Sequence, residues 1–289
     1  MKSPINYKDN HKSSLGVLKK IIPRGSVVSS FLFYSGEIEL ALSSTKRFIS
    51  SYTNKYPVYE FWDCMQKDPK RINDIISSDS FKSFNNQRSF NILQENWLSY
   101  HDPYMRAAIF LFLNWTSDVG LISSGKFEKL SNNPLRYEKV TNFNPRNFHL
   151  SLVESSMTIF DSIKANSGAQ YTLIPMGRFN YNLLDEGKQA GIEQTIINHS
   201  DFHTFIKSFS GKCIILYKNH ASVRKIYKDF NIKMIDKYGN IANQDNCYKF
   251  LVNFGWPYRY LRLVKRSHGF KLIVSLSGSG GSSTRYLQL

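Results

Sequence analysis

GKCIILYKNHASVRKIYKDFNIKMID, residues 211–236, decides the fold. Its first seven residues hold a continuous apolar run of strand length, ASVRKIYKDF has helical spacing, and NIKMID returns to a strand. Upstream, YTLIP at 171–175 is another short apolar run, and the helical pattern DFHTFIKSF at 201–209 lies between it and GKCIILY as a crossover. CYKFLVNF at 247–254 reads as the last clear strand. Strands that alternate with helices build an α/β sheet.

The amino-terminal half carries the same alternation. SVVSSFLF at 26–33 suits a buried strand, YSGEIELALSS a short helix or turn, and FISSY at 48–52 a second strand. Pro57 then opens a helix over VYEFWDCMQ. Residues 68–100 are polar and helical in part, and Asp102-Pro103 is a start signal for the very apolar helix PYMRAAIFLFLNW. GLISSGKFE at 120–128 has the glycine and serine content of a hairpin, and residues 129–150 read as basic loop with a short helix. Beyond Gly255 the chain has six basic residues and no acidic one, with a flexible-looking SGSGGSS. The expected division is an α/β core at 1–64 and 150–254, a helical and hairpin insertion at 65–149, and a basic carboxyl-terminal extension at 255–289.

Lys and Arg outnumber Asp and Glu 38 to 22, a net charge of +16. A polyanionic partner fits that excess, with nucleic acid first because phosphate neutralisation supplies most sequence-independent affinity. An anionic membrane surface, or solubility alone, also accommodates it. An aromatic share of 15% excludes a disordered basic tail. Cys64, Cys213 and Cys247 lie far apart without metal-ligand spacing, which fits a reducing, intracellular setting, cytoplasmic or nucleoid-associated. The first residues, MKSPINYKDNHKSS, hold no apolar core of signal-peptide length, and no run approaches the roughly 20 apolar residues of a membrane span, so a soluble protein is expected.

Three stretches together resemble the Dam-like adenine-specific DNA methyltransferases. RAAIFLFLNWTSDVGLISSGKFE at 106–128 is similar to that family's helix and hairpin, where R-A-A-x-F-L-x-L-N leads to G-L and then G-x-F. ASVRKIYKDFNIKMID at 221–236 is similar to the helix and strand after its catalytic motif. NYKDNHKSSLGVLKKIIP at 6–23 has the spacing of its amino-terminal cofactor segment, with Lys12 at or beside the family's lysine. The resemblance implies a methyltransferase-like, Rossmann-like sheet with a helical insertion.

At each position where the family does chemistry, this sequence departs from it. The family's glycine-rich turn after the first strand lets backbone approach S-adenosylmethionine, and here the aligned residues are Phe33, Tyr34 and Ser35, with Gly36 next. The family's acidic residue at the end of the second strand, which holds ribose hydroxyls, corresponds to Thr53 or its neighbour Tyr52. The family's catalytic D-P-P-Y corresponds to Ile174, Pro175, Met176 and Gly177. Isoleucine accepts no hydrogen bond from adenine's amine and glycine cannot stack on a flipped base, a loss of several kcal/mol of transition-state stabilisation. The expectation is therefore a degenerate, inactive member: a noncatalytic DNA-binding protein without a cofactor, meeting double-stranded DNA and possibly a protein partner, and no membrane. A divergent active methyltransferase using S-adenosylmethionine, and a noncatalytic scaffold subunit of a methyltransferase complex, are the alternatives.

The candidate DNA contacts are Lys126, Lys129, Arg136, Lys139 and Arg146, which follow the family's target-reading hairpin. The rival cluster is Arg259, Arg262, Lys265 and Arg266, interleaved with Trp256, Tyr258 and Tyr260. No metal site is expected: His199, Asp201 and His203 read as a helix start capped by Ser200 or Asp201, with both histidines towards solvent. Asp185 and Glu186 read as a solvated turn, and GSGGSS at 278–283 lacks the lysine and helix of a phosphate loop.

Overall fold

The computed structural model describes residues 1–7, 11–118, 125–131, 133–154, 156–166, 168–177 and 197–242, single residues 120, 122 and 247, and strands at 249–254, 260–266, 269–276 and 283–286. The core opens with α1 (Leu15–Ile21), β1 (Val27–Ser30), α2 (Glu37–Ser43), β2 (Phe48–Thr53) and α3 (Tyr56–Lys67). Helices α4 (Pro69–Ile76), α5 (Asp79–Ser83), α6 (Gln87–Asn96), α7 (Pro103–Trp115) and α8 (Pro134–Thr141) follow. The sheet resumes with β3 (Phe148–Leu152), α9 (Ile159–Ala165), β4 (Tyr171–Gly177), α10 (His199–Ser208), β5 (Cys213–Lys218), α11 (Ala221–Ile226), β6 (Asn231–Ile235) and β7 (Lys249–Phe254).

Seven strands form one sheet in the order β3-β2-β1-β4-β5-β7-β6. β3, β2, β1, β4 and β5 are parallel, while β7 runs antiparallel to both β5 and β6. This is the methyltransferase-like, Rossmann-like α/β sheet expected from the sequence. The inner parallel strands are covered on both faces, so β5 is buried from Cys213 to Tyr217 and reads as an unbroken apolar run. Alternation sends Ile214 and Leu216 into one cluster with Leu18, Ile38 and Leu42, and Cys213, Ile215 and Tyr217 into the other with Trp62, Phe110 and Phe202.

Two differences from the sequence reading have plain causes. FHLSL at 148–152 is strand β3, not loop: it is an outer strand with Phe148 and Ser151 half-buried and His149 exposed, so it carries no apolar run. CYKFLVNF is not the last strand, because β8 (Tyr260–Arg266), β9 (Gly269–Leu276) and β10 (Ser283–Tyr286) form a separate antiparallel sheet within the basic extension. Its seven-residue β8·β9 ladder lies in a segment whose basic residues and glycine- and serine-rich stretch marked it as an extension.

Helix α7 is the centre of the larger cluster. Asp102 caps it by accepting the Tyr104 N–H at 2.9 Å, Pro103 occupies its first turn, and every residue from Ala107 to Trp115 is buried. A helix apolar all round belongs inside a core. Arg106, at its solvent end, forms a fork with the Glu60 carboxylate of α3, with Nε donating at 2.7 Å and Nη2 donating to the other oxygen, and Tyr56 donates to the same carboxylate at 2.9 Å.

Glu39 is an exception in this core. Its carboxyl group is buried in the first turn of α2, where Ser30 donates to it at 2.7 Å. Burial raises its pKa above the ordinary carboxylate value, against the opposing hydrogen bond from Ser30. The folded state therefore holds the proton more tightly than the unfolded chain, and stability falls as pH rises from about 4.3 through the folded pKa. Glu39→Gln should raise stability at pH 7 by about 1–3 kcal/mol, with the two proteins converging near pH 4. Thermal melts of both across that range check it; parallel pH profiles would contradict it.

Candidate functional site

The order of strands reverses at β1 and β4, so their carboxyl ends open the crevice where Rossmann-like sheets take ligands. Here the chain leaving β1 is laced to both neighbours. Phe31 donates its N–H to the Leu173 carbonyl at 2.9 Å, and Phe33 to the Tyr52 carbonyl at 3.0 Å. Leu32 between them is left-handed, with φ 57°, a conformation that costs a side-chain-bearing residue about 1–2 kcal/mol. Gly36 is left-handed at φ 66°, where it turns the chain into α2 beneath Trp62.

Aromatic rings occupy this turn. Phe33 is fully buried against Trp62 and Phe148, with ring centroids 5.4 and 5.5 Å away. Tyr34 is buried, its carbonyl accepts from Trp62 Nε1 at 2.8 Å, and its ring meets Tyr7 edge-on at 5.3 Å. The carbonyl of Ser35 accepts from the Ser3 hydroxyl. At the end of β2, Tyr52 stacks on Phe31 at 5.0 Å. Thr53 is buried, with Oγ1 accepting the Lys55 N–H at 3.3 Å. The cavity that these rings leave beside Thr53, Met157 and Thr158 measures about 40 Å³, room for a few water molecules.

The sequence places Ile174 to Gly177 at the end of a strand, and β4 in fact runs through all four. Ile174 pairs with Ile215, Pro175 with Leu216 and Gly177 with Tyr217, with an irregularity between Pro175 and Gly177. Ile174 and Met176 are buried in the core.

The helix stands as read from RAAIFLFLNW, while Leu121, Ser123 and Ser124 of GLISSGKFE lie outside the described residues. Asp118 N–H donates to the Lys126 carbonyl at 2.9 Å, and Ser117 bridges Phe127 antiparallel. At the end of α7, Asn114 is wholly buried and joins two distant segments. Its Oδ1 accepts the Asn6 N–H at 2.8 Å, and its Nδ2 donates to the Asn6 carbonyl at 2.8 Å and the Gly120 carbonyl at 2.7 Å. Trp115 Nε1 donates to the Pro4 carbonyl at 2.9 Å. The chains pass so closely that a Cβ on Gly120 would lie 2.0 Å from the Asn6 carbonyl oxygen, which only glycine permits.

This clamp shapes a groove of about 550 Å³ between the amino-terminal segment, the start of α2, the hairpin and α8. Five cations line it, Lys2, Lys12, Lys129, Arg136 and Lys139, with three carboxylates, Glu37, Asp118 and Glu128. Lys12 lies 3.7 Å from Glu37. Burial lowers the Lys139 pKa; Glu37 opposes the shift, and the like charges of Lys2, Lys12 and Arg136 add to it. Arg136 Nη1 is shielded from solvent and has no hydrogen-bond partner among the described residues.

Of the expected DNA contacts, Lys129, Arg136 and Lys139 thus share one groove. Lys126 is exposed on the hairpin outside its lining, and Arg146 is exposed in the loop before β3, at the amino ends of the parallel strands. Arg262, Lys265 and Arg266 fall on β8, and Arg259 lies outside the described residues. Lys2 and Glu37 escaped the sequence reading because no local pattern links positions 2, 37 and 136.

The cap of α10 is Asn198, not Ser200 or Asp201: its Oδ1 accepts both of their N–H groups. Nor do the histidines face solvent. His199 Nδ1 lies 3.0 Å from the Tyr217 hydroxyl, which bonds Tyr227 at 2.9 Å, and His203 packs edge-on against Tyr227 and Phe230. Among the described residues no group of three His, Cys, Asp or Glu could hold a metal, and no helix is long and apolar enough to cross a membrane. Asp185 and Glu186 lie outside the described residues, as does GSGGSS except for Ser283 in β10.

No protein-family model and no curated protein matches the chain. Among solved structures it is similar to one described as a predicted O-methyltransferase from Agrobacterium tumefaciens, at 9% identity over 84% of this chain and 78% of that one, with a TM-score of 0.34. A likeness that distant carries no argument about activity, and the fold assignment rests on the strand order.

Asn114→Ala removes three hydrogen bonds and leaves buried backbone groups unpaired, which should cost about 1–3 kcal/mol. Amide exchange should accelerate at Asn6 well before global unfolding. Full protection of Asn6 in a destabilised variant would show that other contacts hold the segment.

Proposed function

We propose that this chain is a noncatalytic DNA-binding protein on a methyltransferase-like fold. The observation that carries the reading is the groove beside the β1–α2 turn, where three of the five expected contact residues converge with Lys2 and Lys12. Phosphates are the natural counter-charge for such a cluster, and the net charge of +16 favours any approach to a polyanion. The absence of a carboxylate at Thr53 and Ile174, and the rings of Phe31, Phe33 and Tyr52 at the carboxyl ends of β1 and β2, support a site that no longer takes S-adenosylmethionine.

Two measurements test this. Titration calorimetry with S-adenosylmethionine should give no heat of binding, and Ile174→Asp should restore no methylation; a micromolar Kd would return the chain to the active methyltransferases. Binding to DNA should weaken steeply with salt, the slope of log K against log salt falling by about 0.9 for each phosphate contact removed. The triple variant Lys129→Glu, Arg136→Glu, Lys139→Glu should bind more weakly and with a flatter slope. Unchanged binding in that variant would move the contact surface to the β8–β10 extension.

A further inference from the structure

The shape and charge pattern of the groove limit what form of DNA can fill it. Its volume of about 550 Å³ falls among pockets that engulf a small molecule, roughly 300–1,000 Å³. A duplex is read by an element that projects into its grooves and by cations facing its outer phosphate rows. Here Arg136 and Lys139 are half-buried on the wall of a concavity.

The carboxylates point the same way. Asp118 and Glu128 line the groove among the cations, and a duplex, with one phosphate charge per roughly 1.7 Å of axis, would be repelled by both. An unpaired nucleotide separates its chemistry into two ends. Its phosphate is an anion, while the exposed edge of cytosine, adenine or guanine offers N–H donors that a carboxylate accepts. Tyr7, half-buried in the lining, adds an aromatic ring of the kind on which unpaired bases stack. Arg136 lines the groove with a guanidinium whose Nη1 has no hydrogen-bond partner among the described residues, and such a fork matches the oxygens of a phosphate.

We propose, on the basis of the DNA-binding reading, that the groove admits a single nucleotide of an unpaired strand, with its phosphate on Arg136 and Lys139 and the amino-bearing edge of its base towards Asp118 and Glu128. Duplex DNA then binds only through weaker surface contacts. Bases without an exocyclic amine bind less well than those with one.

The test is fluorescence anisotropy at low salt with the full chain and three probes: an oligo-dC, an oligo-dT of equal length, and a mixed-sequence duplex. Oligo-dC should bind at least tenfold more tightly than the duplex and severalfold more tightly than oligo-dT. Arg136→Ala with Lys139→Ala should remove most of the strand affinity. Glu128→Gln should narrow the gap between oligo-dC and oligo-dT. Lys129→Glu, at an exposed position, provides a variant with little bearing on folding and should weaken strand binding severalfold. Duplex binding equal to or tighter than that of the strand overturns the proposal and leaves the DNA-binding reading intact. Failure to bind any of the three probes overturns both, and equal affinity for the two homopolymers overturns the contact between the base edge and the carboxylates.

Discussion

A buried asparagine side chain has two donors and an acceptor to satisfy, and Asn114 satisfies them by holding together parts of the chain that sequence separates widely. It sits at the end of α7, whose other buried residues are apolar or aromatic up to Trp115. Without partners its amide would be costly there. It finds them in the backbone of Asn6 and Gly120. The consequence reaches beyond the helix: the amino-terminal segment and the hairpin become the two sides of one groove, and Gly120 is required because nothing larger fits between them. A polar group whose first effect is structural thereby helps to shape a concavity lined by eight charged residues.

The carboxyl edge of the sheet is built on the opposite principle. The turn after β1 is made with Leu32 in a left-handed conformation and Gly36 at the start of α2. Backbone geometry is kept while the space beside it is filled by Phe31, Phe33, Tyr34 and Tyr52. The strain at Leu32 is offset by packing, since ring contacts with Trp62 and Phe148 anchor the residue that follows it. The rings at this edge pack as part of the core, as densely as a protein interior does.

Legibility followed burial. Strands covered on both faces, such as β4 and β5, are continuous apolar runs and were readable as strands, and α7 announced itself through Asp102, Pro103 and its apolar length. β3 was not readable because a half-covered outer strand with the composition FHLSL has the same local signature as a loop. The strands of the extension lie in a segment marked by basic residues, glycine and serine, so its composition outweighed the apolar stretches of β8 and β9. At α10 the four-residue polar run Asn198 to Asp201 offered several caps, and Asn198 took the position that Ser200 or Asp201 was expected to hold. The groove was legible only in part. Lys129, Arg136 and Lys139 are close in sequence, but their meeting with Lys2, Lys12 and Glu37 is a product of the tertiary clamp.

Helix α2 ties the two regions together through its first turn. Glu37 and Glu39 both lie at its amino-terminal end, where the helix dipole favours negative charge. Two residues apart, they point to different sides. Glu37 lines the groove 3.7 Å from Lys12, and Glu39 is buried beside Ser30 at the end of β1. Burial raises the pKa of the second, against the hydrogen bond from Ser30. One short helix therefore presents one carboxyl group to the groove and buries the other against the sheet. The turn that sets its start, Phe31 to Gly36, is the same turn whose rings fill the crevice. One turn thus packs its rings at the carboxyl edge of the sheet and sets the start of the helix whose Glu37 lines the groove.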